Sequence, residues 1–345
     1  MNKLSFWLII AVVMAFISIP SCQSPVEKKV VGFYNLENLF DTIDDPDIRD
    51  EEFTPQSEKL WDVNRYQRKL QNMASVIAGI GAAEEVGAPA IMGLCEMENI
   101  QVLKDLVSTD RLKTFNYKII HEDSPDRRGI DVALIYRPES FKPEDYRAVP
   151  LYIEGEDGSR IFTRDQLVVS GDLNGEKLHF IVNHWPSRYG GRERSIPLRN
   201  AAGKLTRSLV DSIRKENYDA KIVVMGDLND DPVDESVKKY LMAGVTLQGV
   251  GSDSLFNATA PLFFNGRGTL CYRDYWNLFD QIVVTPNLMK ESSGKFHITK
   301  TEIYDKQYLR QQEGDYSGYP FRTFVGDWYH GGYSDHFASY IVLDN

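Results

Sequence analysis

The chain has 345 residues, of which 42% are hydrophobic and 26% are charged. This composition suits a globular protein with a substantial core. The formal net charge of -11 at pH 7 gives no overall basic surface. Because tight, non-specific binding to a nucleic-acid backbone needs many Lys and Arg contacts, this charge argues against a high-affinity DNA-binding module. Phosphate recognition is therefore expected to be local or to depend on a bound metal ion.

The first 21 residues are typical of an export signal. Lys3 is followed by the nearly unbroken apolar run 4–19, and Ser21 precedes Cys22. The apolar run is a little shorter than the ~20 residues that a membrane-spanning helix prefers. Cys22 resembles the lipid-modified cysteine of a bacterial lipoprotein, so we expect an exported protein of the cell envelope that meets the membrane only through this anchor. A signal that is simply cleaved, or an uncleaved anchor, is the alternative.

Residues 22–29 are expected to form a short polar tether, and residues 30–345 a single domain. In chain order, the pattern predicts a strand at 30–34, a helix at 65–80, strands at 90–95, 117–121 and 130–136, paired strands at 166–170 and 177–183, a helix at 198–213, and strands at 221–225, 280–285 and 339–343. Asn174-Gly175 between the paired strands is a strong hairpin signal. This mixture of hairpins and crossovers predicts a layered α/β domain with mixed sheets.

Residues 286–333 are the main irregularity in this pattern, and they carry many aromatic side chains. We predict a long loop here, and a loop of this size in a compact domain is usually functional. The alternative is a lid whose aromatic side chains simply pack on the body of the domain.

Polar side chains recur where the predicted strands end. These residues are Asn35, Glu37, Glu96, His184, Asp227, Asn229, Asp280, Asp335 and His336. Taken singly, a carboxylate after a strand is more often a turn or cap residue than a ligand. Loops at strand ends are nevertheless where open α/β folds place ligands, so the constellation indicates a functional site.

The hydrolysis of a phosphate ester by water gives a reason for these residue types. It needs a cation on the phosphate oxygens, a base for the water and donors for the developing charge. Hard oxygen ligands such as Glu96 suit Mg²⁺. Asp227 and Asn229 are two residues apart, so on an extended stretch both side chains face the same way. One of them could accept the proton of water while the other donates to the phosphate.

A second copy of the Asp227 motif competes with it. Residues 171–175 resemble residues 226–230 almost letter for letter, with Asp172 in place of Asp227. The first copy lies in the predicted hairpin turn, where Asn-Gly is explained by the backbone geometry of the turn. The second follows a buried strand that has no hairpin partner directly after it. We therefore assign catalysis to the second copy.

Six short motifs together resemble the endonuclease/exonuclease/phosphatase superfamily, which includes DNase I-like nucleases, sphingomyelinases and inositol-phosphate phosphatases. They span essentially the whole predicted domain, and six in order are far more specific than one. The motifs, in chain order, are Asn35-x-Glu37, Gly93-Leu94-Cys95-Glu96, Asn183-His184-Trp185, Gly226-Asp227-Leu228-Asn229, Asp280-Gln281-Ile282 and Ser334-Asp335-His336.

The resemblance implies a DNase I-like, four-layer α/β sandwich in which two mixed sheets face each other, with one active site at their edge. By similarity, Glu96 would be the principal ligand of Mg²⁺, or of Mn²⁺ as an alternative. The residues expected close to the metal are Asn35, Glu37 and Asp335. The catalytic residues implied are Asp227 for the water, Asn229 for the phosphate, His336 held by Asp280, and His184 on the side of the leaving group.

The sequence also offers candidate substrate contacts. Arg188 and Arg192 lie in a cluster after His184, and such side chains can clamp flanking phosphates bidentately. The alternative is a solvated loop that leads into a helix. Arg273 is a further candidate, and Asp131, in a looser match, is expected to orient His184. Glu37 departs from the family pattern, because many nucleases carry Asp at this position.

The function that these motifs favour is a Mg²⁺-dependent phosphodiesterase, most similar to a nuclease, which acts as a monomer on a phosphate ester such as nucleic acid. A lipid or sugar phosphodiesterase or phosphatase of the same fold is the alternative within this chemistry. A catalytically inactive binding protein of the cell envelope is the alternative from another class. All six motif positions are filled, which argues against an inactive protein.

Overall fold

The computed structural model describes residues 27–155, 157–251 and 253–345. Two mixed β-sheets form its centre. Their strands, in chain order, are β1 (Lys28–Leu39), β2 (Ile91–Met97), β3 (Lys118–His121), β4 (Asp131–Tyr136), β5 (Phe141–Val149), β6 (Gln166–Leu173), β7 (Glu176–His184), β8 (Lys221–Asp227), β9 (Ala243–Gly244), β10 (Leu255–Asn257), β11 (Asp280–Val284), β12 (His297–Tyr304) and β13 (Ala338–Asp344). The first sheet has the order β12-β13-β1-β2-β4-β3, and the second has the order β9-β10-β11-β8-β7-β6-β5.

Helices cover the outer faces of both sheets. The α-helices are α1 (Val63–Ala83), α2 (Ile100–Val107), α3 (Arg192–Glu216) and α4 (Ala260–Phe264). Single helical turns occur at Glu51–Phe53, Lys113–Phe115, Ser236–Tyr240, Leu247–Gly249, Pro286–Met289 and Gln307–Leu309. Short two-stranded ribbons pair Ile153–Glu154 with Arg160–Ile161, Leu270–Tyr272 with Tyr275–Asn277, and Phe324–Val325 with Trp328–Tyr329.

Three hydrophobic clusters define four layers. One cluster joins α1 and α2 to the outer face of the first sheet, as Met73 and Leu106 do with Leu94. The second lies between the sheets, where Phe33 and Cys95 pack with Phe180 and other residues of the second sheet. The third joins α3 to the outer face of the second sheet. The predicted four-layer α/β sandwich with two facing mixed sheets is confirmed.

The predicted helices form where the apolar spacing placed them. Helix α1 begins after Asp62, whose side chain accepts a hydrogen bond from the Arg65 backbone N–H at 2.9 Å. Helix α3 starts at Arg192, six residues before the predicted start at 198. Its first turns are polar, so the apolar spacing that marks the helix begins only at Leu198.

The longer strands β5 and β12 lie where none was predicted, as do the short strands β9 and β10. Strand β12 falls within residues 286–333 and pairs with β13 at the edge of the first sheet, so the prediction of one long loop is wrong. Strand β5 forms the edge of the second sheet and is largely exposed. Both are edge strands with charged side chains, and such strands lack the apolar alternation that reveals a central strand.

The predicted export signal and Cys22 lie outside the described residues. Strand β1 begins at Lys28, two residues earlier than the predicted start at 30. In the described part of the chain, no helix has the length and apolar character that crossing a membrane requires.

Candidate active site

The strand order brings the predicted site residues to one edge of the sandwich. Asp227 ends β8, and it is paired with His184 at the end of the parallel strand β7 and with Asp280 at the start of the antiparallel strand β11. In the facing sheet, Asn35 on β1 is paired with the residue before Glu96 on the parallel strand β2. The ends of β1, β2, β7 and β8 and the start of β11 therefore meet at the same edge.

Asn35 connects the two sheets at this edge. Its side-chain Nδ2 donates to Glu96 Oε1 at 3.2 Å and to Asp227 Oδ2 at 3.1 Å. His184 Nε2 lies 3.7 Å from Glu96 Oε1 and 3.8 Å from Asp227 Oδ2. His336 Nε2 lies 3.9 Å from the same Asp227 oxygen. Asp227 is therefore the point on which both histidines and the Asn35 amide converge.

The backbone of the site is held in an uncommon conformation. Glu37, Asn38, Glu96 and Asn229 have positive φ values of 49°, 52°, 60° and 51°. Positive φ is rare for residues other than glycine and clusters at functional sites. The turn at Glu96 lets the Asn38 backbone N–H donate to Glu96 Oε2 at 3.0 Å. The conformation is thus used to fix the orientation of the Glu96 carboxylate.

The two histidines have opposite charge preferences. His336 Nδ1 is hydrogen-bonded to Asp280 Oδ2 at 2.6 Å. Burial lowers the pKa of His336, but Asp280 and Asp227 outweigh burial and raise it well above its ordinary value. Burial, assisted by the positive charge of Arg164, lowers the pKa of His184 well below its ordinary value. At neutral pH, His336 is therefore protonated and His184 is neutral.

Burial also raises the pKa of Asp227, to about 7, although His336 acts in the opposite direction. Asp227 Oδ1 accepts a hydrogen bond from the Asn229 backbone N–H at 2.9 Å. The Asn229 side chain donates to the carbonyl oxygen of Trp185 at 3.0 Å. A carboxyl group with a pKa near neutrality can exchange a proton with water at physiological pH. Asp227 thus has the protonation behaviour expected of a general base.

The donor set fits a divalent cation. One ligand atom each from Glu96, His184 and Asp227 lie within 4.8 Å of one another. Neither Glu96 nor Asp227 is paired with a Lys or Arg among the described residues. In addition, His184 Nδ1 and Asp280 Oδ1 are buried and have no hydrogen-bond partner among the residues that the structure describes. A buried Asp227 and a half-buried Glu96 that lack a Lys or Arg partner are a setting in which a hard metal ion such as Mg²⁺ is stabilised.

Glu37 and Asp335, the other predicted metal neighbours, are paired with cations of the protein. Arg322 donates through Nε to Glu37 Oε1 at 3.1 Å and through one terminal nitrogen to Asp335 Oδ2 at 3.0 Å. The second Glu37 oxygen accepts from the Thr323 backbone N–H at 2.7 Å and lies 3.6 Å from Lys69 Nζ. Both oxygens of Glu37 are thus occupied, and the structure gives this residue the role of holding residues 322–323 beside the site.

Sequence reasoning missed Lys69 and Arg322. Lys69 lies three residues after Tyr66 and four before Met73, so it falls on the buried stripe of α1, and this position was a usable signal. Arg322 belongs to no motif and follows its partner Glu37 by 285 residues. Only the fold brings that pair together.

Three of the predicted substrate contacts are paired with residues outside the convergent site. Arg188 and Arg192 both pair with Asp234, at 3.0 and 2.5 Å, so each guanidinium group already has a carboxylate partner. Asp131 does not contact His184, because its two oxygens accept hydrogen bonds from His121 and from the Ser124 backbone N–H. The expected contact between Asp131 and His184 is wrong because a neighbouring loop supplies closer partners, whereas Arg188 and Arg192 as substrate contacts stay predictions.

Arg273 and Asp172 lie away from the convergent residues. Arg273 is exposed and lines a cavity of about 660 Å³ that also contacts Glu37 and Asp335. Asp172 lies at the β6–β7 hairpin, where its Oδ1 accepts from the Gly175 backbone N–H at 2.8 Å. Because His184 is at the other end of β7, Asp172 is far from the site, and the choice of the second motif copy agrees with the geometry.

Comparison with known proteins agrees with this arrangement. A model of the endonuclease/exonuclease/phosphatase family matches residues 30–345. The chain belongs to this family. No protein of curated function matches the sequence.

Several solved structures share the fold of this family member. A family protein from Bacteroides thetaiotaomicron is 16% identical, with a TM-score of 0.55 over 92% of this chain and 95% of that one. A mannosyl-6-phosphatase from the same organism is 16% identical, with a TM-score of 0.54 over 91% and 99%. A humanized TDP2 from D. rerio is 14% identical, with a TM-score of 0.54 over 92% and 99%. At these identities the likeness shows the fold, and the family supports phosphoester hydrolysis.

Proposed function

We propose that this protein hydrolyses phosphate esters with water at the Glu96–Asp227 site and that it uses Mg²⁺, with Mn²⁺ as an alternative. The observation that carries the proposal is the convergence at Asp227 of the Asn35 amide and both histidines, within 3.1 to 3.9 Å of one oxygen. Six family motifs supply these residues in the expected order. An inactive binding protein would have no need of this arrangement.

Each polar residue of the site has a separate role in the proposed reaction. Glu96 would hold Mg²⁺ at this site, and the ion would supply Lewis-acid stabilisation of charge on a phosphoryl oxygen. Asp227 orients the attacking water and accepts its proton. Protonated His336 donates to a phosphate oxygen, and Asp280 holds its ring in place. Neutral His184, which lies 3.8 Å from the Asp227 oxygen that His336 also approaches, is assigned to the leaving group.

A small phosphate ester is a better substrate for this site than a long nucleic acid. Arg188 and Arg192, the predicted phosphate clamps, are both paired with Asp234, which weakens the case for a long nucleic acid. The net charge of -11 also disfavours a polyanion. We therefore rank a sugar phosphodiesterase or phosphatase first and nucleic acid second.

An assay of ester types separates these alternatives. The purified protein is incubated with Mg²⁺, Mn²⁺ or EDTA and with p-nitrophenyl phosphate, bis-p-nitrophenyl phosphate or supercoiled plasmid. We expect release of p-nitrophenol that EDTA abolishes and that Glu96→Gln reduces. Plasmid nicking at a comparable efficiency would return nucleic acid to first place. Hydrolysis that persists in EDTA would contradict the metal-dependent proposal.

The location of the enzyme is a separate proposal, based only on residues 1–22 of the sequence. We propose that the chain is exported and anchored in the cell envelope through a lipid on Cys22. Metabolic labelling of the full chain with a radioactive fatty acid should mark the wild-type protein and not Cys22→Ala. Equal labelling of both would refute the anchor.

A further inference from the structure

The cavity beside the acidic residues has the size of a small-molecule site. Its volume is about 660 Å³, within the range of roughly 300–1,000 Å³ that ligand pockets occupy. One end reaches Glu37, Arg322 and Asp335, next to the proposed catalytic centre. A second part of its lining, the aromatic wall, is formed by residues 270–274 and by Asp315, Tyr316, Tyr319 and Pro320. We call this cavity the tyrosine cleft, after Tyr272, Tyr316 and Tyr319 in that wall.

In the aromatic wall of the tyrosine cleft, one tyrosine is held by hydrogen bonds and two others present open surface. Tyr319 donates from its hydroxyl to Asp274 Oδ1 at 2.7 Å and accepts from the Asp274 backbone N–H at 2.6 Å. Its ring lies 5.6 Å from the ring of Tyr316 at an angle of 61°. Tyr272 and Tyr316 nevertheless remain 62% and 51% exposed. Tyr272 and Tyr316 therefore offer partly exposed ring surface beside the anchored Tyr319.

The charges in the tyrosine cleft do not suit a second phosphate. Lys59 is paired with Glu52 at 3.0 Å and Arg322 with Asp335 at 3.0 Å. Arg273, whose guanidinium lies 5.3 Å from the centre of the Tyr272 ring, is the one Lys or Arg of the lining without a carboxylate partner among the described residues. Asp315 is exposed and makes no side-chain hydrogen bond with the described chain. The cleft thus offers hydrogen-bond acceptors and little free positive charge.

These features together select a neutral group that carries hydroxyl donors and an apolar ring face. A sugar ring has both, since its hydroxyl groups donate to carboxylate and amide oxygens and its C–H face packs on tyrosine. A nucleobase can also stack on tyrosine, but it brings fewer hydroxyl donors for the carboxylates that line the cleft.

We propose that the tyrosine cleft binds the sugar ring of a phosphorylated monosaccharide or of its phosphodiester, with the phosphate at the Glu96–Asp227 site. This inference rests on the proposed function and names its substrate class. Hydrolysis forms the bond between phosphorus and the water oxygen and breaks the bond between phosphorus and the sugar oxygen. The sugar then leaves as an alcohol after it takes a proton.

Binding and turnover are measured separately, so that the two proposals can fail separately. Binding is followed by calorimetry with Mg²⁺ in the Asp227→Asn protein, in which hydrolysis is suppressed. The probes are glucose 6-phosphate, its open-chain analogue sorbitol 6-phosphate, and thymidine 5′-phosphate. Turnover of the same compounds, each as the monoester and as its p-nitrophenyl diester, is measured with the wild-type protein.

We expect glucose 6-phosphate to bind at least about tenfold more tightly than either of the other probes. Tyr316→Ala and Tyr272→Ala, made in the same background, should remove this preference. Tyr275→Ala is the matched control, because Tyr275 is 77% exposed on the same ribbon as Tyr272 but does not line the cleft. It should leave the preference unchanged.

Other outcomes would overturn the inference. Equal binding of glucose and sorbitol 6-phosphate, or a preference that survives both tyrosine substitutions, would show that the cleft does not read a sugar ring. Tighter, tyrosine-dependent binding of thymidine 5′-phosphate would assign the cleft to a nucleoside. Ring-selective binding without turnover of any ester would support the cleft and refute the proposed hydrolysis.

Discussion

Replacing Lys69 tests how the charges around the site are balanced. Lys69 is 1% exposed, and its Nζ donates to Thr323 Oγ1 at 2.6 Å and to the Tyr333 carbonyl oxygen at 2.7 Å. It also lies 3.6 Å from Glu37 Oε2. Lys69→Met keeps most of the apolar stem and removes the charge. Glu37, whose pKa is already raised by burial and by Asp335, then loses one of its cations.

The expected loss of stability in Lys69→Met depends on the partners that Glu37 keeps. Removing one partner of a buried ion pair costs about 3–5 kcal/mol, because the other charge stays buried without compensation. Arg322 and the Thr323 backbone N–H still hold Glu37, so we expect the lower end of this range, about 3 kcal/mol. That is a large share of the roughly 5–15 kcal/mol that stabilises a typical domain.

Urea unfolding followed by circular dichroism in EDTA measures this change without a contribution from bound metal. The double variant Lys69→Met/Glu37→Gln removes both charges and should recover at least about 1 kcal/mol relative to Lys69→Met. Lys113→Met is the control, because Lys113 is 57% exposed and forms a surface pair with Asp110; it should cost less than about 1 kcal/mol. A loss from Lys69→Met as small as that of the control would refute the buried pair.

Three further predictions concern residues outside the reacting centre. Gly226→Ala should destabilise the protein by about 1–3 kcal/mol in urea unfolding, since a Cβ would lie 2.4 Å from a backbone carbonyl oxygen of β7; wild-type stability would contradict this packing. Burial raises the pKa of Glu84, but the hydrogen bond from Lys300 outweighs it and the net pKa is lowered. This stabilisation is present above the unfolded pKa of about 4.3 and is lost as the pH falls through the folded pKa, so the melting temperatures of wild type and Glu84→Gln should converge in acid; a constant difference would refute it. Arg192→Gln should leave KM for a small ester unchanged because its guanidinium is held by Asp234, and a large rise in KM would restore Arg192 as a substrate contact.

The sequence indicated which polar residues meet at the edge of the sheets when those residues lie at the ends of strands. Asn35, Glu96, His184 and Asp227 could be named because each follows or ends a recognisable buried strand, and parallel or antiparallel pairing brings such ends together. The choice of Asp227 over Asp172 also needed only local turn chemistry. These inferences depend on a few residues of contiguous sequence.

The rest depends on contacts between distant segments. Nothing near Glu37 in the sequence indicates that Arg322 and Lys69 occupy its oxygens, and nothing near Arg188 indicates that Asp234 holds it. A charged side chain is a free ligand or one half of an ion pair depending on what the fold places beside it. The edge strands β5 and β12 were missed because most of their side chains are exposed or half-buried, so neither shows an apolar alternation in the sequence.

Turnover by Asp227→Asn, compared with Asp172→Asn, is the most direct test of the central claim that hydrolysis occurs where the two sheets meet. Both substitutions replace Asp by Asn in nearly identical motifs, and only Asp227 lies beside Asn35 and the two histidines. The account predicts that Asp227→Asn lowers kcat for bis-p-nitrophenyl phosphate or p-nitrophenyl phosphate in Mg²⁺ by about 10²–10⁴-fold, while Asp172→Asn stays close to wild type. Equal losses in the two variants, or full turnover by Asp227→Asn, would contradict it.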